Sequence, residues 1–108
     1  MKTVSFSDFQ NLDLRVGRVL KAERIPESRN LIRMKVDLGE KEQRNILAGI
    51  AEWYEPKKLV NKSYIFVANL EPKKMMGEES KGMILCGDQD GKAVLIPVSD
   101  LPPGTVVK

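Results

Sequence analysis

Leu12-Asp13-Leu14-Arg15-Val16-Gly17-Arg18-Val19-Leu20 is the stretch of sequence that decides how this chain folds. Apolar and polar residues alternate through it, which predicts a β-strand with one buried face. The alternation slips by one residue near Gly17 and Arg18, and a glycine at that point indicates a bulge or a sharp coil in a long strand. We therefore expect a first strand that curls enough to take part in two faces of a small β structure.

Four more strands and one short helix follow from the patterns downstream. Strands are predicted over 31–39, 44–50, 63–70 and 83–87, with a short helix near 56–60 that begins at Pro56. Three strands, a helix and two strands is the order of an OB-fold, a five-stranded Greek-key barrel. The chain is thus predicted to be all-β, with the helix between strands 3 and 4 and the barrel over about residues 12–87.

The N- and C-terminal extensions, about 1–11 and 88–108, remain rich in apolar residues. Ser5 is a predicted helix cap for a short turn, and Asp90-Gly91 is the signature of a β-hairpin turn. So many apolar residues outside the barrel must cover it or meet a partner. Packing of the flanks or contact in a dimer is predicted for Phe6, Phe9, Trp53, Tyr54, Leu95 and Leu101. For Trp53 and Tyr54, stacking on bases is the open alternative.

Composition argues against an enzyme. The 108 residues suit one domain, a single cysteine excludes an intrachain disulfide, and histidine is absent. No metal-ligand cluster, phosphate-cradling glycine motif or nucleophile–base pair is visible, so no cofactor is expected. The chain shows neither a signal peptide's apolar centre nor a run of about 20 apolar residues, so we expect a cytoplasmic location without membrane contact.

Positive charge is concentrated near the start of the predicted barrel, although the formal net charge is only +3. Between Asp13 and Lys35 the chain carries seven basic and three acidic residues. This run is either a solvated strand face or a basic stripe along two adjacent strands. Arg15, Arg33 and Lys35 are expected on the barrel face where OB-folds bind ligands, with ion pairs to nearby acids as the alternative for Arg15 and Arg33.

A loop between the last two barrel strands carries the strongest functional signal. Lys73 and Lys74 supply positive charge on long stems, and Met75 supplies soft apolar surface. Gly77 permits a backbone bend, and Ser80 offers a small donor and acceptor. We interpret this combination as suited to a polyanion with unstacked bases rather than to catalysis.

At this loop the sequence resembles a known family, the tRNA-binding domain of methionyl-tRNA synthetases. The same domain occurs as free-standing structure-specific tRNA-binding proteins and in the endothelial monocyte-activating polypeptide family. The resemblance covers nearly the whole chain in order. It is carried by Leu12–Val19, Val36–Gly39, Ala48–Ile50, Val67–Met75, Gly77, Ser80, Gly82–Leu85 and Pro103–Thr105. One departure is Met76, which stands where the family commonly has arginine.

The resemblance implies an OB-fold that binds tRNA without catalysis, by shape and phosphate backbone, often as a homodimer. It also implies a role beside an aminoacyl-tRNA synthetase, free-standing or in trans, with methionyl-tRNA synthetase favoured. Protein-export chaperones of the CsaA type share the fold and remain the alternative, although their equivalent loop lacks the Lys-Met pattern. The residues expected to bind RNA are Arg15, Arg33, Lys35, Asn69, Lys73, Lys74, Met75, Ser80 and Lys81.

Overall fold

The computed structural model describes residues 1–108, and short antiparallel strands make up most of its regular structure. The elements are α1 (Phe6–Gln10), β1 (Leu14–Arg24), β2 (Ile32–Asp37), β3 (Arg44–Ala48), β4 (Ser63–Val67), β5 (Lys73–Met75), β6 (Glu78–Ser80), β7 (Met83–Ile84), β8 (Cys86–Gln89), β9 (Lys92–Leu95) and β10 (Val106–Val107). The helix predicted between strands 3 and 4 is a single 3-10 turn over Pro56–Lys58. None of the helices has the length and apolar content that a membrane crossing needs.

The main sheet is a nearly closed barrel. Its strands follow the order β3-β2-β1-β4-β7, and β10 adds to β1. The two end strands meet at a seam, where the amide of Lys81 donates to the carbonyl of Asn45 at 2.9 Å. The prediction of an all-β OB-fold is therefore confirmed, because the first strand pairs with both the second and the fourth in the way this barrel requires.

Every second residue of the strands places its side chain inside the barrel, and these side chains form the core. Along β2 the buried residues Ile32, Met34 and Val36 alternate with Arg33 and Lys35, which face outward. Branched and aromatic side chains dominate the interior, which explains why these segments form strands. The largest fully buried side chains include Tyr64, Phe66, Ile25, Ile32, Met34, Leu38, Ile46 and Leu59.

The irregularity in the first strand lies later than the sequence pattern indicates. Pairing of β1 with β2 shifts register between Val19 and Lys21, not at Gly17. Gly17 faces the core instead, where an added Cβ would lie 2.6 Å from Cδ1 of Phe66 and 2.7 Å from Cγ1 of Val36. The predicted bulge position was wrong because this glycine makes room for core side chains rather than for a kink.

The segment predicted as an irregular loop is an ordered hairpin, which we call the basic hairpin (Lys73–Ser80). β5 and β6 pair around a two-residue turn, Met76-Gly77, with φ values of 50° and 77°. Positive φ at both turn residues matches the right-handed twist of the strands. The hairpin that the sequence predicts at Asp90-Gly91 is confirmed, with φ values of 53° and 87°.

The flanks of the barrel are tied to it at both ends. The hydroxyl of Ser5 accepts a hydrogen bond from the amide of Asp8 at 3.0 Å and caps α1 as predicted. β10 pairs with Leu14 and Arg15, and the amide of Gly104 donates to the carbonyl of Val16 at 2.7 Å. Part of the predicted C-terminal extension thus becomes a strand of the main sheet.

Candidate nucleic-acid interface

The basic hairpin is fixed against the outer face of the barrel by one arginine. Nε of Arg33 donates to Oε1 of Glu78 at 2.7 Å, and its Nη2 donates to the second oxygen of the same carboxylate. Nη1 of Arg33 donates to Oε1 of Glu23 at 2.7 Å. Of the two predictions left open for Arg33, RNA contact and an ion pair to a nearby acid, the structure shows the ion pair. Its guanidinium is occupied by two carboxylates and joins β1, β2 and the hairpin.

The ionisation of this cluster follows from its hydrogen bonds. The hydrogen bonds that Arg33 donates to Glu78 and then to Glu23 raise the pKa of Arg33 above its usual value. Conversely, the hydrogen bond from Arg33 lowers the pKa of Glu78 below that of an ordinary glutamate. Arg33 and Glu78 therefore stay charged at neutral pH, and the hairpin is held by charge-assisted hydrogen bonds.

Ser80 closes the barrel seam rather than facing solvent. Its hydroxyl accepts from the amide of Leu47 at 3.0 Å and donates to the carbonyl of Gly82 at 3.1 Å. The residue is only 3% exposed. The expectation that Ser80 contacts RNA is corrected by this placement, since its hydrogen-bonding capacity is used between β3 and the end of the hairpin.

The two neighbouring lysines of the hairpin lie on opposite faces. Lys73 pairs with Ser80 and Met75 with Glu78, and because directly opposed residues share a face, all four turn toward the barrel. Lys74 is opposite Glu79 on the outer face. Only Lys73 therefore lines the space between hairpin and barrel.

A first concavity, the lysine pocket, lies beside the seam and has a volume of about 460 Å³. It is lined by Lys35, Glu40, Lys41, Glu42, Gln43, Arg44, Asn45 and Lys81. Lys35 and Lys41 form no ion pair, and Nζ of Lys81 is 4.0 Å from the nearest oxygen of Glu79. Lys35 and Lys41 thus border this polar concavity without a carboxylate partner, and Lys81 has only a long ion pair with Glu79.

Arg44 was missed by the sequence analysis, and it crosses the seam. It forms a two-pronged ion pair with Glu40, at 2.8 Å for each hydrogen bond, and its Nη1 donates to the carbonyls of Ala68 and Lys81. The bond to Arg44 lowers the pKa of Glu40, and the bond to Glu40 raises that of Arg44. The sequence around Arg44 carries no pattern that marks its role at the seam, because the carbonyls that it binds are distant in sequence. The sequence analysis also missed Lys41, which lies in a polar turn and lines the same pocket.

A second concavity, the hairpin groove, has a volume of about 560 Å³. It is lined by Leu47, Asn69, Leu70, Glu71, Lys73, Met75, Ser80, Gly82 and Met83. Lys81 borders the lysine pocket whereas its neighbours Ser80 and Gly82 border the groove. The two concavities therefore lie on either side of the chain that links β6 to β7, and the structure brings Lys35 and Lys81 to one of them and Lys73 and Met75 to the other.

Two other predicted RNA-binding residues have structural partners. Oδ1 of Asn69 accepts from the amide of Asp13 at 2.8 Å, and its Nδ2 donates to the carbonyl of Asn11 at 2.6 Å. Nε of Arg15 donates to Oδ1 of Asp13 at 2.8 Å, which raises the pKa of Arg15. Asn69 thus ties the segment before β1 to the end of β4. Arg15 and Gly17 are two residues apart on β1, so they lie on the same face of the strand, and Gly17 faces the core. Lys35 faces outward, so Arg15 is not on the face that carries Lys35.

The aromatic residues for which flank packing or dimer contact is predicted divide into two groups. Phe6 and Phe9 stack with ring centroids 6.5 Å apart, and Phe6 remains 72% exposed. Trp53 and Tyr54 pack against the core, and the Tyr54 hydroxyl accepts from the amide of Leu95 at 3.2 Å. Trp53 and Tyr54 therefore pack in the way the sequence favoured, whereas Leu101 remains exposed.

Reactive groups are sparse. No three His, Cys, Asp or Glu side chains come together in a way that could hold a metal ion. Burial raises the pKa of the Cys86 thiol, which disfavours the thiolate that a nucleophile requires. What the site offers is positive charge, apolar surface and hydrogen-bonding groups.

A small OB-fold barrel with lysines beside surface concavities belongs to the class of folds that bind oligonucleotides through their strands and loops. Residues 14–106 match the family model described as "Putative tRNA binding domain", and the chain belongs to this family. The resemblance found in the sequence is thereby confirmed.

Relatives and solved structures agree with this assignment. The chain is 52% identical over 105 residues to a methionine–tRNA ligase of Archaeoglobus fulgidus, covering 96% of this chain but 16% of the ligase. A crystal structure of a MetRS related protein from Pyrococcus horikoshii superimposes with a TM-score of 0.94 at 41% identity, with both chains fully covered. The chaperone CsaA from Bacillus anthracis superimposes with a TM-score of 0.88 at 34% identity, over 99% of this chain and 100% of that one.

Proposed function

We propose that this chain is a non-catalytic module that binds transfer RNA through its phosphate backbone and its overall shape. The observation that carries the proposal is the group of lysines beside the seam: Lys35, Lys41 and Lys81 border the lysine pocket, and Lys73 borders the groove next to it. Phosphate contacts from lysines supply affinity and orientation, while the contour of a folded RNA supplies selectivity. Membership of the tRNA-binding domain family supports this assignment.

The proposal is tested by fluorescence anisotropy with three RNAs: whole tRNA, a regular duplex with a similar number of phosphates, and an isolated acceptor minihelix. Shape recognition predicts that whole tRNA binds most tightly, and phosphate contacts predict that affinity falls steeply as salt is raised. Equal affinity for tRNA and the duplex would contradict recognition by shape. Failure to bind tRNA in dilute salt would contradict the function itself.

A methionyl-tRNA synthetase is the proposed partner. The chain spans about 16% of the length of the Archaeoglobus fulgidus ligase that it matches. The aminoacylation activity of that whole enzyme therefore requires parts that this chain does not match. We propose that the module raises the local concentration of tRNA for such an enzyme in the cytoplasm. Adding the purified module to the synthetase should lower the KM for tRNA with little effect on kcat.

A second copy of the chain is the proposed occupant of the apolar surface made by α1 and β10. Phe6, Phe9, Leu12, Val106 and Val107 border a concavity of about 290 Å³ there. Phe6, Leu12 and Val106 are 72%, 45% and 53% exposed, which is unusual for clustered apolar side chains in a monomer. Sedimentation should show a dimer that Phe6→Glu with Val106→Glu dissociates, whereas Ile96→Glu, at an exposed apolar position outside this surface, should leave the dimer intact.

The chaperone function is the second candidate, favoured by the superposition on CsaA from Bacillus anthracis. It uses the exposed apolar surfaces instead of the lysines and predicts binding of unfolded polypeptide that resists high salt. A permanently unfolded polypeptide, titrated at low and high salt, distinguishes the two functions. Salt-resistant binding of the polypeptide with no binding of tRNA would favour the chaperone.

A further inference from the structure

The hairpin groove has apolar side chains beside its charged ones, and phosphate binding alone would not use the apolar side chains. Two of its polar side chains already form hydrogen bonds within the protein: the Ser80 hydroxyl with Leu47 and Gly82, and the Asn69 amide with Asn11 and Asp13. The groove therefore presents mainly apolar side chains and two charged ones to an occupant.

The apolar side chains come from three parts of the chain. Leu70 follows β4, Met75 ends β5 and Met83 begins β7. Leu70 is 42% exposed and Met83 is 45% exposed, although both are large apolar residues that would normally be covered. A flat apolar group placed between them would remove this surface from water, and flexible methionines adapt to such a group.

The two charged residues of the groove narrow the choice of occupant. Neither Lys73 nor Glu71 forms an ion pair, so each is available. An occupant that satisfies the groove must combine an apolar face, a negative group for Lys73 and a hydrogen-bond donor for Glu71. A nucleotide with an unpaired base has all three, in its ring face, its phosphate and its amino or ring N–H groups, whereas a purely apolar peptide segment lacks the charge.

We infer that the hairpin groove binds one unpaired nucleobase of the RNA, packed against Leu70 and Met83, with the adjoining phosphate at Lys73. The inference rests on the proposed function and adds a contact that a regular duplex cannot make, because its bases are stacked and paired. The lysine pocket holds the backbone, while the groove detects a single-stranded end, loop or bulge beside it.

The test uses two synthetic RNA hairpins, one blunt and one with a four-nucleotide single-stranded 3′ tail that contains 2-aminopurine. The wild-type chain should bind the tailed RNA about three- to tenfold more tightly, and the fluorescence of 2-aminopurine should change on binding. Leu70→Ser should abolish that preference while leaving affinity for the blunt RNA unchanged. Met83→Ser should act in the same way. Because Leu70 lies outside the strands, we expect the Leu70→Ser variant to fold.

Met76→Ser is the matched control. Met76 is 52% exposed at the tip of the basic hairpin but does not line the groove, so this change should keep the preference for the tail. Equal binding of both RNAs by the wild type, or binding of neither, would overturn the inference and leave the proposed function standing, whereas loss of whole-tRNA binding in the same assay would overturn both. Binding of an unfolded polypeptide that Leu70→Ser abolishes, with no effect of the tail, would assign the groove to peptide and also overturn the inference.

Discussion

Arg33 and Glu78, 45 positions apart in sequence, form a two-pronged ion pair that fixes the basic hairpin to the barrel. The pair places an acidic residue inside a surface that we propose binds a polyanion. Its electrostatic effect on RNA is unfavourable, so its value must be structural: it holds Lys73 and the groove in place. The negative charge of Glu78 and its role in positioning the hairpin predict opposite effects on RNA binding, so a substitution of Glu78 distinguishes them.

Glu78→Ala should weaken tRNA binding severalfold, although it removes a negative charge from the interface. Without its carboxylate partner the hairpin loses the contact with Arg33 and becomes more mobile. Glu79→Ala is the matched control, since Glu79 lies on the outer face opposite Lys74 and is about half exposed. That change should strengthen binding slightly. If both variants strengthen binding equally, Glu78 acts only through its charge and the positioning role is wrong.

The same ion pair predicts how stability depends on pH. The pKa of Glu78 is lower in the folded state, so folding gains stability from the ionised carboxylate above the ordinary glutamate pKa of about 4.3. That gain is lost as the pH falls through the lowered pKa. Thermal unfolding followed between about pH 6 and pH 3 should therefore show a smaller acid loss for Glu78→Gln than for the wild type. Identical pH profiles would show that the pair contributes nothing to folding.

Lys73 and Lys74 should contribute unequally to RNA binding, although they are neighbours. Lys73→Ala should reduce the slope of log affinity against log salt by about 0.7 to 0.9, the contribution of one phosphate contact. Lys74→Ala should reduce it less, because Lys74 points away from the groove and faces Glu79. Salt titrations of both single variants make the comparison, and equal reductions would contradict the assignment of faces.

Gly17→Ala should destabilise the barrel by about 1–3 kcal/mol, the usual cost of forcing an extra carbon into a packed core. The added Cβ would stand 2.6 Å from Phe66, 2.7 Å from Val36 and 2.8 Å from Leu38. Gly49→Ala is the control, since an added Cβ there meets nothing within 4 Å. Chemical denaturation of both variants measures the difference, and an unchanged free energy of unfolding for Gly17→Ala would refute the packing role.

Much of the fold was predictable because its signals are local. The alternation of apolar and polar residues predicted the strands of the barrel, Ser5 predicted the cap of α1, and Asp90-Gly91 predicted a hairpin turn. The basic hairpin escaped prediction because its turn places Met76, a poor turn former, at a φ of 50°. Its strands are only three residues each and consist mainly of charged residues, so no strand pattern is visible.

For the candidate site, the sequence indicated which lysines to consider but not which residues have partners within the protein. Residue type and motif position indicated the lysines, and the structure places Lys35, Lys73 and Lys81 at the two concavities. The sequence could not reveal that Glu78 binds Arg33 or that Ser80 is occupied within the protein. The partners of Arg33 and Ser80, such as Glu78 and Leu47, lie more than 30 positions away and come close only when the barrel closes.

The measurement that tests the central claim most directly is the salt dependence of tRNA binding by two triple variants of equal charge. One replaces Lys35, Lys41 and Lys81 with alanine, and the other replaces Lys57, Lys58 and Lys92, which line neither concavity. We predict that the first lowers the slope of log affinity against log salt by about 2 and that the second changes it little. Equal changes in the two variants, or an unchanged slope in the first, would contradict an RNA interface at the seam of this barrel.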